Sequence, residues 1–215
     1  MSRVDELIEA IQKGDAARVG ALLEEDNSLL KARSGNVSAV LLALYHGHPQ
    51  IADVFLEHGL QPDFFEACAL GDRKRAQRAT DVNAFSPDGF PPLGLAIFFR
   101  HPELARDLIE RGADVNAVAK NPQRVAPVHA AATVRDHATM KLLLERGADP
   151  NARQQNGFTA LHSAASRGDI EMAKLLLAHG ADAKAKTDDG LTAAEIAEKY
   201  GQPAFADWIR ISFAR

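Results

Sequence analysis

The sequence predicts an all-α solenoid of stacked helix-turn-helix repeats, and three observations lead to this fold class. Three similar segments, RGADVNA, RGADPNA and HGADAKA, begin at residues 111, 146 and 179. An apolar run such as MKLLLE or AKLLLA precedes each of them, and an alanine-rich run stands further ahead. The glycines of the three segments lie 35 and 33 residues apart, so one structural repeat takes about 33 residues.

Two helices of one repeat can be read from residues 157–185, GFTALHSAASRGDIEMAKLLLAHGADAKA. Ala164 and Ala165 are small residues that let neighbouring helices approach closely. Met172 and Leu176 lie four positions apart, a spacing that gives the second helix a buried apolar stripe. We therefore expect a short first helix with small inward residues, a two-residue break and a longer, leucine-rich second helix.

Turns that contain glycine close each repeat. Gly180 follows the second helix and supplies the left-handed backbone that other residues adopt only at a cost. The NG at 156–157 and the DDG at 188–190 have the composition of tight turns. These turns predict a hairpin-like finger that joins one repeat to the next.

These residues resemble the ankyrin repeat. The family pattern runs Gly-x-Thr-Pro-Leu-His, two alanines, Gly with His or Asp, Leu-Leu, Gly-Ala-Asp and Asn-Ala, and residues 157–185 are similar to it. The resemblance covers essentially the whole chain, with repeats starting near residues 5, 38, 62, 91, 126, 159 and 192. It implies a single ankyrin-repeat domain over residues 1–215 whose first and last repeats act as caps.

Departures from the period predict an irregular joint near residues 60–90. The repeats near 38 and 62 start only 24 residues apart, which leaves no room for a finger. The repeat near 62 is 29 residues long, so its second helix or its turn is also shortened. The finger before Ala126 is longer than its neighbours and carries Arg124 where the pattern has glycine, so we expect it to form a prominent tip.

Composition and charge argue against several classes of protein. A net charge of −4 and a pI near 6.1 give no global attraction for nucleic acid or anionic membranes. The single cysteine, Cys68, permits neither an intrachain disulfide framework nor a cysteine-based zinc cluster. No run approaches the roughly 20 apolar residues that span a bilayer, and the N-terminal MSRVDELIEAIQKGD lacks the core of a signal peptide. We expect a soluble, cytoplasmic monomer with no membrane partner.

No residue pattern indicates catalysis, a cofactor or a metal ion. His129 and His162 stand fourth in their TPLH-like motifs, where the resemblance implies a hydrogen-bonding brace, and His48 and His101 fall at helix breaks. No His-x-x-x-His pair sits beside a spaced carboxylate, as a zinc hydrolase would need. Cys68 takes an interior alanine position, which indicates a buried structural thiol. We therefore expect neither enzyme activity nor a small-molecule substrate.

A small basic cluster occupies the segment DRKRAQR. Its four cations lie within two helical turns; they are Arg73, Lys74, Arg75 and Arg78. Three interpretations stay open: a solvated outer helix face, a site for an acidic protein partner, and a nucleic-acid contact. Four charges in an acidic chain release few counterions, which disfavours the nucleic-acid interpretation.

Binding is expected on the concave surface that stacked repeats form from first helices and fingers. The resemblance implies that the seventh and eighth residues after each repeat start, and the finger residues just before it, face this groove. Read along the chain, these positions are polar or mixed at the ends and apolar in the middle, as in an interface with aromatic anchors. The predicted partner-binding residues are Tyr45, Leu70, Phe90, Phe98, Phe99, Arg124, Thr133, Val134, Asn156, Phe158 and Arg167.

Phe98 and Phe99 allow two interpretations. Neighbouring residues on a helix point about 100° apart, so one buried face does not easily hide both rings. The pair either presents a ring to a partner or fills the irregular joint.

The sequence thus predicts a non-catalytic protein-protein interaction module, such as an adaptor, scaffold or inhibitor. The alternatives are a nucleic-acid-binding repeat protein that uses Arg73–Arg78 and Arg124, or an enzyme with an unrecognised site.

Overall fold

A computed structural model describes residues 2–212, and it confirms the predicted all-α class. The structure is 58% helical. The described residues form fourteen α-helices, which are α1 Arg3–Lys13, α2 Ala16–Glu25, α3 Ala39–Tyr45, α4 Pro49–Glu57, α5 Phe64–Leu70, α6 Arg73–Ala76, α7 Pro92–Phe98, α8 Pro102–Glu110, α9 Pro127–Val134, α10 His137–Glu145, α11 Ala160–Ser166, α12 Ile170–Ala178, α13 Ala193–Lys199 and α14 Pro203–Ser212.

The chain divides into two compact units, Met1–Ala79 and Thr80–Arg215, named unit 1 and unit 2 below. Each unit is a stack of helix pairs. The prediction of one repeat domain over residues 1–215 stays a prediction. Its two ends, residue 1 and residues 213–215, lie outside the described residues.

Unit 1 contains the pairs α1/α2, α3/α4 and α5/α6, and its first helices α1, α3 and α5 pack in chain order. A hairpin finger precedes α3: strand β1, Arg33–Ser34, pairs antiparallel with β2, Val37–Ser38. A 3-10 helix, Asn27–Lys31, leads into this finger. Apolar stripes of the helices meet in a core whose largest fully buried side chains are Leu7, Ile11, Leu22, Leu23, Ile51 and Phe55.

The irregular segment predicted near 60–90 is confirmed. Helix α4 ends at Glu57 and α5 begins at Phe64, and the described residues between them form no finger. Helix α6 has 4 residues, whereas α4 has 9. The described chain then runs without a helix from Gln77 to Pro91. A missing finger and a shortened second helix therefore account for the two short repeat intervals in the sequence.

Unit 2 contains the pairs α7/α8, α9/α10, α11/α12 and α13/α14. Its first helices α7, α9, α11 and α13 pack against one another in chain order, and so do the second helices α8, α10 and α12. Ala96, Ala131 and Ala164 are fully buried on consecutive first helices. Their small side chains permit the close approach of these helices that the alanine-rich runs predict.

Two ladders of hydrogen bonds tie successive repeats of unit 2 together. Neighbouring fingers are joined by backbone N–H···O bonds, which run from Lys120 to Gly89 at 2.8 Å, from Gln155 to Gln123 at 2.9 Å and from Asp188 to Asn156 at 3.0 Å. The loops after the second helices are joined by asparagine side chains. The Asn116 amide donates to the Gly147 carbonyl at 3.0 Å and accepts from the Asp149 N–H at 2.8 Å. Asn83 and Asn151 repeat this pattern.

Left-handed residues stand at the break between the two helices of each pair in unit 2. Gly168 and Gly201 have φ of 65° and 70°, but Arg100 and Arg135 adopt φ of 65° and 58° at the equivalent positions. A side chain in this conformation brings its Cβ close to the following carbonyl oxygen, which costs free energy. Two successive repeats thus hold arginines, at a steric cost, at the C-terminal ends of their first helices.

Candidate partner-binding surface

The C-terminal ends of α7, α9, α11 and α13 form a row in unit 2, named the helix-end row. It comprises residues 98–100, 133–135, 166–168 and 199–201. Side chains link its neighbouring members: the Arg100 guanidinium donates to the Val134 carbonyl oxygen at 2.9 Å, and Arg135 Nε donates to Asp169 Oδ2 at 2.9 Å. A Cβ added at Gly168 would meet the side-chain amide of Gln202. The four helix ends therefore make one continuous strip of surface.

Phe98 presents an aromatic ring to solvent in this row. It is the last residue of α7 and is 43% exposed, whereas Phe99, the C-cap, is half-buried. The two rings meet edge to face, with centroids 5.2 Å apart and planes at 87°, an arrangement that stabilises aromatic pairs. Of the two interpretations of this pair, exposure therefore holds for Phe98, and Phe99 packs against it.

The other predicted first-helix residues of unit 2 differ in exposure. Arg167 is exposed and Thr133 is half-buried. Val134 is only 6% exposed, which differs from the expectation that it faces a partner. Val134 is the last residue of α9, and its side chain packs among the buried residues of that helix.

The predicted finger residues fall into two pairs. Arg124 and Asn156 are exposed at finger tips and have φ of 51° and 62°, so both turns hold a side chain in left-handed backbone. Phe90 and Phe158 are half-buried where each finger returns to its first helix. The Phe158 ring lies 5.5 Å from the ring of His162, measured between centroids. The fingers thus offer exposed polar tips and partly covered aromatic rings.

Tyr45 and Leu70 are candidate binding residues of unit 1. They are the last residues of its first helices α3 and α5, and both are half-buried. His46, the C-cap of α3, is exposed next to Tyr45. Unit 1 therefore has its own first-helix ends, at which an aromatic and an aliphatic side chain are partly accessible.

Asp169 lies beside the helix-end row and binds two basic side chains. This N-cap of α12 has only 4% of its side chain exposed, and it accepts bonds from Arg135, His137 and the Met172 N–H. Burial alone would raise the pKa of Asp169, but bonds from His137, Met172 and Arg135 outweigh it and hold the pKa below its ordinary value. The ionised carboxylate thus offsets part of the positive charge of Arg135.

His129 and His162 brace the repeats of unit 2. The Ala126 N–H donates to Nδ1 of His129 at 3.0 Å, and Nε2 lies 2.9 Å from the Ala152 carbonyl oxygen. His162 repeats this arrangement one repeat later. Burial lowers the pKa of both rings, although their backbone hydrogen bonds act in the opposite direction. In each ring Nδ1 accepts from the N-cap of its own helix and so carries no proton, while Nε2 joins that helix to the next loop.

The basic cluster of unit 1 is partly neutralised by its own neighbours. Arg75 Nη1 lies 2.8 Å from an Asp72 carboxylate oxygen, and Nη2 donates to Gln61 at 2.8 Å. A cavity of about 380 Å³ lies alongside, and its lining includes Phe64 and Arg78. These contacts support the interpretation of the cluster as a solvated outer face of α6.

Neither a metal cluster nor a membrane-spanning helix is found among residues 2–212. No three His, Cys, Asp or Glu side chains in this part of the chain are grouped so that they could hold a metal ion. No helix in the same range combines the length and apolar composition needed to cross a membrane. Cys68, the single cysteine, is fully buried in unit 1.

Sequence reasoning left Arg100, Arg135 and Asp169 out of the predicted site. The repeat pattern directs attention to the seventh and eighth residues after each start, whereas these arginines occupy the break that follows. A signal was present, because arginine stands at 100 and 135 where other repeats have Gly47, Gly168 or Gly201. The contact of Asp169 with Arg135 crosses 34 residues and has no local sequence signal.

Family models agree with this architecture. The model described as ankyrin repeats (3 copies) matches residues 7–119, the ankyrin repeat model matches 126–155, and the model for ankyrin repeats (many copies) matches 143–197. Since the first match alone covers more than half of the chain, the protein belongs to the ankyrin-repeat family. The predicted ankyrin-repeat solenoid is thereby confirmed, and ankyrin repeats are generally protein-protein interaction modules. Among curated proteins, none matches the chain.

Proposed function

We propose that the chain is a non-catalytic interaction module, acting as an adaptor, scaffold or inhibitor, that binds a protein partner through first-helix ends and finger tips. One observation carries the proposal: Phe98 is 43% exposed at the end of a first helix. The exposed part of Phe98 adds little to the stability of the fold, whereas its burial against a partner contributes up to about 1.5 kcal/mol. Repeat stacks line their concave side with first helices and fingers, which makes this position accessible to a partner.

The surroundings of Phe98 support the same proposal. Arg100, Arg124, Asn156 and Arg167 are exposed polar residues of the helix-end row and the finger tips. An apolar anchor within a polar border is the usual anatomy of a protein interface. We extend the proposal to Tyr45 and Leu70 as the corresponding residues of unit 1, and to Phe90, Phe158 and Thr133 as partly accessible contributors.

Other classes of function are less well supported. The ring nitrogens of His129 and His162 are engaged in structural hydrogen bonds, and Cys68 is buried, so these groups are not arranged for catalysis. The net charge of −4 and the pairing of Arg75 with Asp72 do not favour nucleic acid. We further propose that the module is a cytoplasmic monomer, since a single buried thiol suits a reducing compartment.

Affinity capture from native lysate, followed by mass spectrometry, tests this function. Phe98→Ala is compared with wild type and with Leu56→Ala, which removes a side chain that is 37% exposed on the second helix α4. We expect proteins that are lost with Phe98→Ala and retained with Leu56→Ala, while the thermal midpoint of both variants stays within a few degrees of wild type. Identical captures for Phe98→Ala and wild type would overturn the proposal.

A further inference from the structure

Two exposed aromatic side chains stand at opposite ends of the helix-end row. Phe98 belongs to α7, the first helix of the row, and is 43% exposed. Tyr200 is the C-cap of α13, the last helix of the row, and is 53% exposed. Between them stand Thr133 and Arg167, neither of which is a large apolar residue. The row therefore has two separate apolar contact points, and a partner that uses both must span it.

Positive charge occupies the interval between these two points. Arg167 and Lys199 are exposed, and neither forms an ion pair with any carboxylate among residues 2–212. Arg100 donates to the Val134 carbonyl oxygen and likewise forms no ion pair with a carboxylate among residues 2–212. Three cations of the row are thus available to a negatively charged partner.

Carboxylates in and next to the row make contacts of their own, and Glu195, four residues before Lys199 on α13, accepts bonds from the N–H and the hydroxyl of Thr192. Asp169 is buried and holds Arg135 and His137. Asp136 caps α10 by accepting bonds from the N–H and the hydroxyl of Thr139. Glu198 pairs with Arg210 of α14 at 2.6 Å. Asp169 and Glu198 thus pair with cations other than Arg100, Arg167 and Lys199, and Asp136 bonds to Thr139.

The dimensions of the row fit an extended peptide. Packed helices have axes about 8–10 Å apart, so the three intervals between α7 and α13 separate Phe98 from Tyr200 by roughly 27 Å. An extended chain advances about 3.3 Å per residue, so a segment of about eight or nine residues covers this distance. One linear segment can therefore reach both aromatic rings and all three cations.

Helix-dipole compensation and nucleic-acid binding account less well for the positive charge of the row. Cations at helix C-termini complement the helix dipole, and this explains Arg100, which bonds the last carbonyl of α9. The side chains of Arg167 and Lys199 donate no hydrogen bond to a carbonyl among the described residues. A nucleic acid is attracted by a large excess of cations and by closely spaced aromatic rings, whereas this chain is acidic and its two rings stand far apart.

From these observations we infer that the helix-end row takes an extended, acidic segment of a partner protein with an apolar side chain at each end. This inference rests on the function proposed above, because it names the partner of the same surface. The apolar ends of the segment pack on Phe98 and Tyr200, and its carboxylates pair with Arg100, Arg167 and Lys199. Charge attraction selects acidic segments, and the distance between the two rings selects their length.

Fluorescence anisotropy with a labelled peptide tests the inference. The probe is a fluorescein-labelled peptide of about nine residues with leucine at both ends and glutamates between them, a length set by the row. The control peptide has lysine in place of each glutamate. We expect the glutamate peptide to bind, its affinity to fall as salt is raised, and the lysine peptide not to bind. Equal binding of both peptides, or no binding of the glutamate peptide, would overturn the inference.

Protein variants locate the contact. Arg167→Glu with Lys199→Glu should weaken binding of the glutamate peptide about tenfold. The matched control reverses two exposed cations of the second-helix layer, Arg106→Glu with Arg146→Glu, and should leave affinity within about twofold. Equal losses for both double variants would show a general charge effect and contradict the site. Thermal unfolding of each variant checks that the fold is retained.

Failure of this inference and failure of the proposed function give different results. If the glutamate peptide does not bind, yet Phe98→Ala still loses proteins that wild type captures from lysate, the acidic segment is wrong and the interaction module stands. If Phe98→Ala loses no captured protein, the proposed function itself fails. If single-stranded DNA displaces the peptide and binds more tightly than it, the partner is a nucleic acid and the inference is wrong.

Discussion

The guanidinium of Arg100 donates a hydrogen bond to the main-chain oxygen of Val134, across 34 residues of sequence and 2.9 Å of space. The bond joins the C-terminal ends of α7 and α9, next to the exposed Phe98 ring. Arg100 holds this position with a left-handed φ of 65°. Arg100 of the proposed binding surface thus both forms a hydrogen bond between repeats and adopts a sterically unfavourable backbone conformation.

The variants Arg100→Ala and Arg100→Gly separate the stabilisation by the hydrogen bond to Val134 from the free-energy cost of the left-handed backbone. Alanine loses the hydrogen bond and keeps the strained backbone, so we expect unit 2 to lose about 1–2 kcal/mol. Glycine loses the same bond but relieves the strain, so its loss should be about 1 kcal/mol smaller. Urea unfolding measures the free energy of unfolding of both variants. The signal is the fluorescence of Trp208, the single tryptophan, which lies in α14.

The control for this pair is Gly201→Ala, which adds a Cβ at a φ of 70° where no atom lies within 4 Å. It isolates the backbone cost and should destabilise unit 2 by about 1 kcal/mol. Equal unfolding midpoints for Arg100→Ala and Arg100→Gly would contradict the assignment of strain to Arg100.

Asp169→Asn tests the buried carboxylate that holds Arg135 and His137. Asparagine can still cap α12, but it lacks the charge, and since the Arg135 side chain is 54% exposed we expect a loss of about 1 kcal/mol at neutral pH. The pKa of Asp169 is lowered in the folded chain, so the stabilisation is present above the ordinary value of 3.8 and is lost as pH falls through the folded pKa.

Asp136→Asn is the matched control, because Asp136 caps α10 in the preceding repeat and forms no ion pair among the described residues. We expect it to change the free energy of unfolding by less than about 0.5 kcal/mol. Trp208 fluorescence during urea unfolding at neutral and acid pH measures both variants. A loss from Asp169→Asn that persists unchanged at acid pH would show that the charge is not its cause.

The braces His129 and His162 make the stability of unit 2 depend on pH. Burial lowers the pKa of both rings below the ordinary value of 6.5, so in mild acid the unfolded chain binds more protons than the folded chain. Stability should be flat above about pH 6.5 and fall as pH drops toward about 5. His162→Gln should reduce this slope, whereas His179→Gln, at an exposed position, should not. A stability that rises over this interval would contradict the burial of neutral rings.

Glu66 in unit 1 should show the opposite dependence. Burial raises the pKa of Glu66 above the ordinary value of 4.5, although bonds from the Asp63 N–H and from Ser38 oppose the shift. Its contribution to stability is therefore present below 4.5 and is lost as pH rises through the folded pKa. Glu66→Gln should be neutral or stabilising by up to about 1 kcal/mol at neutral pH. Amide exchange of α5 measures this, and a marked loss of protection at neutral pH would be the contrary result.

The sequence was sufficient for the fold because most repeats share one period and recurring turn residues. Gly112, Gly147 and Gly180 mark the loops after successive second helices, and the short interval after residue 62 predicts a shortened second helix or turn, in agreement with the 4 residues of α6. These features depend on local turn chemistry and on the spacing of apolar residues, and both can be read from a short stretch of sequence.

The candidate surface could be predicted only in part. The repeat position of Phe98 leaves two interpretations open, exposure to a partner and filling of the irregular joint, and the structure has Phe98 43% exposed. The burial of Val134 could not be predicted from its repeat position, since Phe99 at the equivalent position is only half-buried and the difference depends on three-dimensional packing. The contacts of Arg135 and His137 with Asp169 link residues 34 and 32 positions apart, and only three-dimensional stacking brings them together.

The most direct test of the central claim, that Phe98 anchors a protein partner, is the Kd of a partner recovered by capture. Isothermal titration calorimetry compares wild type with Phe98→Ala and with Leu56→Ala, the second-helix control of similar exposure. We predict that Phe98→Ala weakens binding at least about tenfold and that Leu56→Ala changes Kd by less than about twofold. An unchanged Kd for Phe98→Ala, or a larger loss for Leu56→Ala, would contradict the account.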